Sequence, residues 1–142
     1  NNLSKLVKPN LGIITNIAEA HIENFKNIKE IAKAKGEIIN NIDKGGSLIL
    51  NRDDKFFSFL KNLAENRGVK VLSFGNSTKS DIRLIKVFNY KNYKNLKIRI
   101  CDESLLLKVR NIETSNIYNI LCCMAVLKIL YLDFNKIKNF LP

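Results

Sequence analysis

Two residues in the first third of the chain have the type and the setting for chemistry: His21, the single histidine, and Lys35. An imidazole can ligate a metal or carry a proton near neutral pH. A lysine among apolar neighbours needs either a route to solvent or a specific partner, because desolvating an unpaired ammonium costs several kcal/mol. From Ile28 to Ile42 the apolar residues fall at 28, 31, 32, 38, 39 and 42, the spacing of a helix turning about 100° per residue. On that wheel Lys35 lies mid-helix inside the apolar stripe, while Lys29, Glu30, Lys33 and Glu37 point away. Gly36 follows at once, at a helix-propensity cost of roughly 1 kcal/mol, and leaves room for a backbone or a ligand to come close.

The elements around these two residues read as an alternating pattern. Leu11 to Thr15 is a short apolar run after Pro9, a buried strand that delivers Asn16 to its C-terminal end. His21 follows about five residues later, in the loop position where open α/β sheets bind ligands. Asn27 is a candidate N-cap for the helix to Ile42, and Gly45-Gly46 stops it. Ser47 to Leu50 predicts a second strand, Asp53 to Arg67 a second helix closed by Gly68, and Val69 to Phe74 a third strand. Beyond Gly75 the runs Ile82 to Tyr90, Leu96 to Cys101 and Leu105 to Val109 alternate and are joined by polar turns, which predicts an antiparallel meander. Ser115 to Leu130 returns to helix, and Phe134 to Leu141 begins another. The fold class is therefore α/β, a parallel sheet with flanking helices plus a smaller antiparallel β-meander, in one domain.

Composition narrows the function classes. With 46% apolar residues in 142, the chain can build a core. No apolar run approaches the roughly 20 residues that cross a bilayer, and the opening residues have no signal-peptide pattern, so a soluble cytoplasmic protein without membrane insertion is expected. Cys101, Cys122 and Cys123 lack zinc-ligand spacing and read as reduced thiols, the adjacent pair in an apolar helix. A formal charge of +11 raises nucleic acid as a partner, but the lysines are scattered among many Asn and Ile, the profile of AT-rich codons. No nucleic-acid partner is expected.

Two stretches, Gly12-Ile-Ile-Thr-Asn-Ile-Ala-Glu-Ala-His21-Ile-Glu-Asn-Phe25 and Ile31-Ala-Lys-Ala-Lys35-Gly-Glu37-Ile-Ile39, closely resemble the Mur ligase family. There a strand ending in Thr-Asn-Ile leads to an Ala-His or Asp-His pair, and the next helix carries Ala-Lys-x-Glu-Ile. The likeness continues through Ser47-Leu-Ile-Leu-Asn51-Arg-Asp53-Asp54 and Ser73-Phe74-Gly75, about half of the chain. Asn51, Asp53 and Asp54 themselves read as a strand-to-helix turn with an N-cap rather than as ligands. Farther on, Asn116-Ile-Tyr-Asn119 is similar to the family's Asn-x-x-Asn segment, although Glu113-Thr-Ser115 stands where the family has Gly-x-His. Asn116 is thus either an adenine contact or a helix cap.

The resemblance implies an ATP-dependent ligase that adds D-alanyl-D-alanine to the UDP-N-acetylmuramoyl tripeptide in peptidoglycan synthesis. It implies that His21 ligates magnesium, and that carbon dioxide converts Lys35 to a carbamate that is an oxygen ligand for the ion. Asn116 and Asn119 would lie on the adenine side of the nucleotide. The chain would be part of the central ATPase domain, residues 1–142, of an enzyme expected to act as a monomer. The family's Gly-x-x-Gly-Lys-Thr/Ser phosphate loop and its C-terminal domain are not in this sequence, so the piece alone is expected to hydrolyse no ATP. Two rivals stand beside this reading. One is another Mur ligase or a folylpolyglutamate synthase-like ligase, against which Glu19-Ala20 before His21 speaks; the other is a basic, non-enzymatic α/β module that binds nucleic acid.

Overall fold

The computed structural model describes residues 8–17, 28–110 and 112–132. His21, the expected cap Asn27 and the expected helix from Phe134 to Leu141 lie outside the described residues. Contacts divide the chain into two units, Asn1–Leu72 and Ser73–Pro142.

In the first unit, strand β1 (Leu11–Ile14) leads to helix α1 (Ile28–Gly36), whose end tightens into a 3-10 turn (Glu37–Asn41) before strand β2 (Ser47–Asn51). Helix α2 (Phe57–Glu65) and strand β3 (Lys70–Gly75) follow, β3 running on into the second unit. The alternation forces β1 and β2 to pair parallel, with Leu11 opposite Ser47 and Ile14 opposite Leu50. Leu48, Ile49 and Leu50 are at most 1% exposed, as a strand covered on both faces requires. Ile14, Ile17, Ile31, Ile39, Ile42, Leu60 and Val69 are among the residues that close the core around Leu48 and Leu50.

The boundaries differ from the sequence reading in two instructive ways. The helix predicted over 28–42 is α-helical only to Gly36, and the tighter 3-10 turn beyond it rotates the later residues off the 100° wheel. The helix predicted from Asp53 starts at Phe57, because the Asp54 carboxylate takes the Phe56 N–H into a local turn at 2.8 Å.

Gly36 has a packing role. A Cβ there would stand 3.3 Å from Cδ2 of both Leu60 and Leu63, so the missing side chain is what lets α2 close on α1, and no ligand is needed to explain it. The connection into β2 is similarly tight. Gly46 lies where a Cβ would come within 2.8 Å of the Asn10 carbonyl oxygen and 2.9 Å of that of Asp43. The turn is fastened by Ser47 N–H to Asn10 O, Gly45 N–H to Gly68 O and Lys70 N–H to Gly46 O.

In the second unit, the end of β3 pairs parallel with β4 (Ile82–Asn89), which turns back through β5 (Tyr93–Ile100) and β6 (Glu103–Arg110) as an antiparallel meander. Helix α3 (Thr114–Ile129) packs on β4 and β5. Leu96, Ile98, Ile100, Leu105, Leu107 and Val109 are buried. The opposite face collects charge that looked scattered in sequence: eight of the 24 cations but two of the 13 acids lie between Ile82 and Arg110. Period-two alternation puts Arg83, Lys86, Lys97, Arg99, Lys108 and Arg110 on that one face. Four of them are already engaged, Arg83 and Arg99 by the carbonyls of Asn76, Thr78 and Ser80, Lys86 and Lys108 by the rings of Phe88 and Tyr93. Lys86 and Lys97 are direct cross-strand partners, a like-charge pair that works against the sheet.

Two stability outcomes follow from these contacts. Gly46→Ala should lower the unfolding free energy by about 1–3 kcal/mol, since backbone must move, and more than Gly12→Ala, whose closest clash is the end of the flexible Ile42 side chain. Lys97→Glu, which turns a repulsive pair into an attractive one, should raise stability by roughly 0.2–1 kcal/mol. Denaturant titration of the variants checks both.

Candidate active site at the end of the first strand

The residues after β1 leave the sheet with backbone groups that no neighbouring strand can satisfy, and side chains from two other elements take over. The Lys35 Nζ, in the last turn of α1, donates to the Asn16 carbonyl oxygen at 2.6 Å. The Ile17 N–H donates to the Asp54 Oδ2 at 2.8 Å. These two backbone atoms belong to the same peptide group. One charged side chain therefore grips each end of a single peptide, while the Ile17 side chain, 5% exposed, sinks into the core.

Asp54 is itself held. Its Oδ1 accepts the Phe56 N–H, its backbone carbonyl accepts the Phe57 N–H, and the Asn51 Oδ1 accepts the Asp53 N–H at 3.0 Å. The Asn51, Asp53 and Asp54 run is therefore a strand-to-helix turn, as its residue types indicated. It does not provide the helix cap, which is Phe56 and makes no side-chain capping bond. The bond from Asp54 to Ile17 was not legible in the sequence, because the partners are 37 residues apart and one is a backbone amide.

The sequence reading of Lys35 needs correction on one point. It is exposed, in the penultimate position of α1, and is not buried in mid-helix. The α-helix ends at Gly36 and not at Ile42, six residues earlier than a continuous wheel assumes, so Ile31, Ala32 and Gly36 form the buried side and Lys35 flanks it. The expectation of a specific partner holds, and that partner is the Asn16 carbonyl.

Lys35 also lines a cavity of about 320 Å³ with Ile13, Ile14, Thr15, Asn16, Ala34 and Ile38. Its position, at the C-terminal end of a parallel strand, is where α/β sheets bind ligands. Among the described residues no three His, Cys, Asp or Glu side chains gather as a metal site, and His21 is outside them. A lysine ammonium is no metal ligand. Thr15 and Asn16 are the other polar residues of a lining otherwise made of Ile and Ala, and only a carbamate on Lys35 would add anionic oxygens of the kind magnesium binds.

In the second unit Asn116 and Asn119 lie three residues apart in the first turns of α3, on one exposed side of the helix. The N-cap is Glu113, so Asn116 does not serve as the cap. Asn116 and Asn119 have no side-chain hydrogen bond to other described residues. Between them in sequence, Tyr118 packs edge-on to Phe74 and accepts a hydrogen bond from Asn76 at 3.0 Å, which anchors the start of the helix. Deeper in α3, burial and then the neighbouring Cys123 push the Cys122 thiol up to about 11. All three cysteines are free, and Cys122 is an unreactive core group.

Residues 1–127 match the model of the Mur ligase middle domain. Over 87 residues the chain is 41% identical to the UDP-N-acetylmuramoyl-tripeptide--D-alanyl-D-alanine ligase of Rickettsia prowazekii, covering 58% of this chain and 19% of that protein. It is 33% identical over 123 residues to the UDP-N-acetylmuramate--L-alanine ligase of Clostridium acetobutylicum, covering 82% of this chain and 25% of the relative. The chain thus spans a quarter or less of the length of these relatives. The crystal structure of MurF ligase from Thermotoga maritima in complex with ADP superposes with a TM-score of 0.81 at 21% identity, over 92% of this chain and 30% of that one. At that identity the likeness concerns the fold alone. The family match covers most of the chain, and the chain belongs to the Mur ligase family.

Proposed function

We propose that this chain is the central part of an ATP-dependent ligase that joins D-alanyl-D-alanine to the UDP-N-acetylmuramoyl tripeptide, within a longer cytoplasmic, monomeric enzyme. The observation that carries the reading is the Lys35 amine held at the C-terminal end of β1, on the cavity wall, in a chain of this family. The phosphate loop and the domain that closes on the amine substrate would be supplied by the rest of that enzyme. Residues 1–142 would then hydrolyse no ATP by themselves.

In the reaction a tripeptide carboxylate oxygen attacks the γ-phosphorus of ATP and ADP leaves. The D-alanyl-D-alanine amine then attacks the acyl phosphate carbon, and phosphate leaves with the bonding pair. Magnesium supplies charge neutralisation between phosphate and carboxylate. His21 and the Lys35 carbamate would hold it. To form the carbamate, the neutral Lys35 amine attacks the carbon of carbon dioxide, one C=O pair moves to oxygen, and the N–H proton passes to water. Its exposure gives carbon dioxide access, and the cavity that Lys35 lines would hold the new carboxylate. The Asn116 and Asn119 amides can each donate and accept, which suits an adenine edge.

The choice of amine is the finer part of the proposal. Identity to the Rickettsia enzyme favours D-alanyl-D-alanine, as does Glu19-Ala20 before His21, whereas the Clostridium relative is named for L-alanine. In steady-state assays of the full-length enzyme, kcat/KM for D-alanyl-D-alanine should exceed that for L-alanine by roughly 100-fold or more, the range reached when a site hydrogen-bonds its substrate. The reverse preference would reassign the substrate and leave the ligase chemistry in place.

Lys35 is tested separately. The full-length enzyme equilibrated with 13C-bicarbonate should show a carbamate carbon resonance that Lys35→Arg abolishes, with kcat falling about 100-fold or more. A resonance that survives the substitution, or a variant of normal kcat, would remove Lys35 from the chemistry.

A further inference from the structure

We infer that the open face of the meander, β4 to β6, is a binding site for single-stranded nucleic acid. The inference goes beyond the ligase reading and does not rest on it. Lysines spread evenly along a sequence argue against such a partner, and the register of the three strands removes that argument. Two successive cross-strand pairs on this face set cation against cation, Arg83 opposite Arg99 and Lys86 opposite Lys97. Like charges directly opposite work against a sheet, and an anion laid between them would relieve the repulsion. Alternation places Tyr93, Asn95, Ser104 and Leu106 beside them, and no carboxylate among the described residues of the three strands shares the face.

The groups that hold these cations do not neutralise them. Arg83 and Arg99 are fixed by backbone carbonyls, while Lys86 and Lys108 stand 5.1 and 4.3 Å from the ring centres of Phe88 and Tyr93, and all of those partners are uncharged. Lys97 has no hydrogen bond or ion pair to other described residues, and it borders a cavity of about 400 Å³. The lining of that cavity shows which polyanion fits. Phe88 and Tyr90 supply rings, Asn95 an amide and Ser104 a hydroxyl, with Leu106 beside them. Tyr90 is 47% exposed and stacks on Tyr93, the ring centres 4.4 Å apart and the planes 12° from parallel, so a base would extend a stack already formed. Flat rings among cations on a sheet are a platform for two or three successive bases, since every base has a π face and every linkage a negative charge. The amide and the hydroxyl can pair with the donors and acceptors of a base edge. A bilayer would meet the cations without entering the concavity, and a duplex keeps its bases inside its own stack.

The test uses the full-length enzyme and a fluorescein-labelled oligouridylate of about 12 nucleotides, read by fluorescence anisotropy over a series of salt concentrations. Binding should show a Kd of roughly 1–100 µM at physiological salt, with log affinity falling against log salt by about 0.7 for each phosphate contact. Tyr90→Ala should weaken it about tenfold or more, the effect of losing one stacked base. Lys97→Glu should weaken it several-fold and lower the salt slope by about 0.7. That variant is the one expected to fold more stably, so its loss of affinity would not come from unfolding. No binding, or binding that both variants leave unchanged, would overturn the inference. So would a loss with Lys97→Glu and none with folded Tyr90→Ala, which would mean attraction by charge alone. Equal or tighter binding of UMP, of a duplex RNA of the same length or of vesicles of anionic phospholipid would likewise sink it. Should Tyr90→Ala not fold, Lys97→Glu and the comparison with duplex decide the matter.

Discussion

A backbone leaving a sheet carries polar groups that the ladder can no longer pair, and the peptide between Asn16 and Ile17 shows how this chain meets that demand. The partners come from α1 and from the turn before α2, so satisfying one peptide ties three elements of the first unit together. Lys35 meets one half of this demand and Asp54 the other. The amine that the family resemblance singles out is also the donor that the strand end requires, and the cavity beside it is bounded by the same residues.

Much of the fold was legible, for physical reasons that can be named. The parallel part was announced by strand-length apolar runs separated by an amphipathic segment, and the meander by alternation between short polar turns. Boundaries were less legible where a side chain competes with the backbone: Asp54 captures the Phe56 amide and delays α2, which no wheel or propensity reveals. The 3-10 turn after Gly36 is a similar case, since a change from α to 3-10 winding leaves no mark on the spacing of apolar residues until the core is seen.

The site was legible in part. Lys35 has a partner, as expected, but burial does not call for it: the lysine is exposed at the helix end, and its bond to the Asn16 carbonyl could not be read from spacing. Gly36 pointed to a close approach, and the approaching atoms are leucines of α2. Charge was the least legible property. Lysines that look evenly spread along β4, β5 and β6 share a face only once the register is known, and most of that face is then occupied by carbonyl oxygens and aromatic rings.

The fit of Gly36 against Leu60 and Leu63 couples inheritance at distant positions. Gly36, the residue next to Lys35, measures the gap between two helices, so any drift in the volume of those leucines displaces the Lys35 backbone. Sequence change in α2 is thereby filtered by its effect on where Lys35 sits as well as on folding, and the two leucines are expected to diverge more slowly among descendants than core leucines that face no such gap.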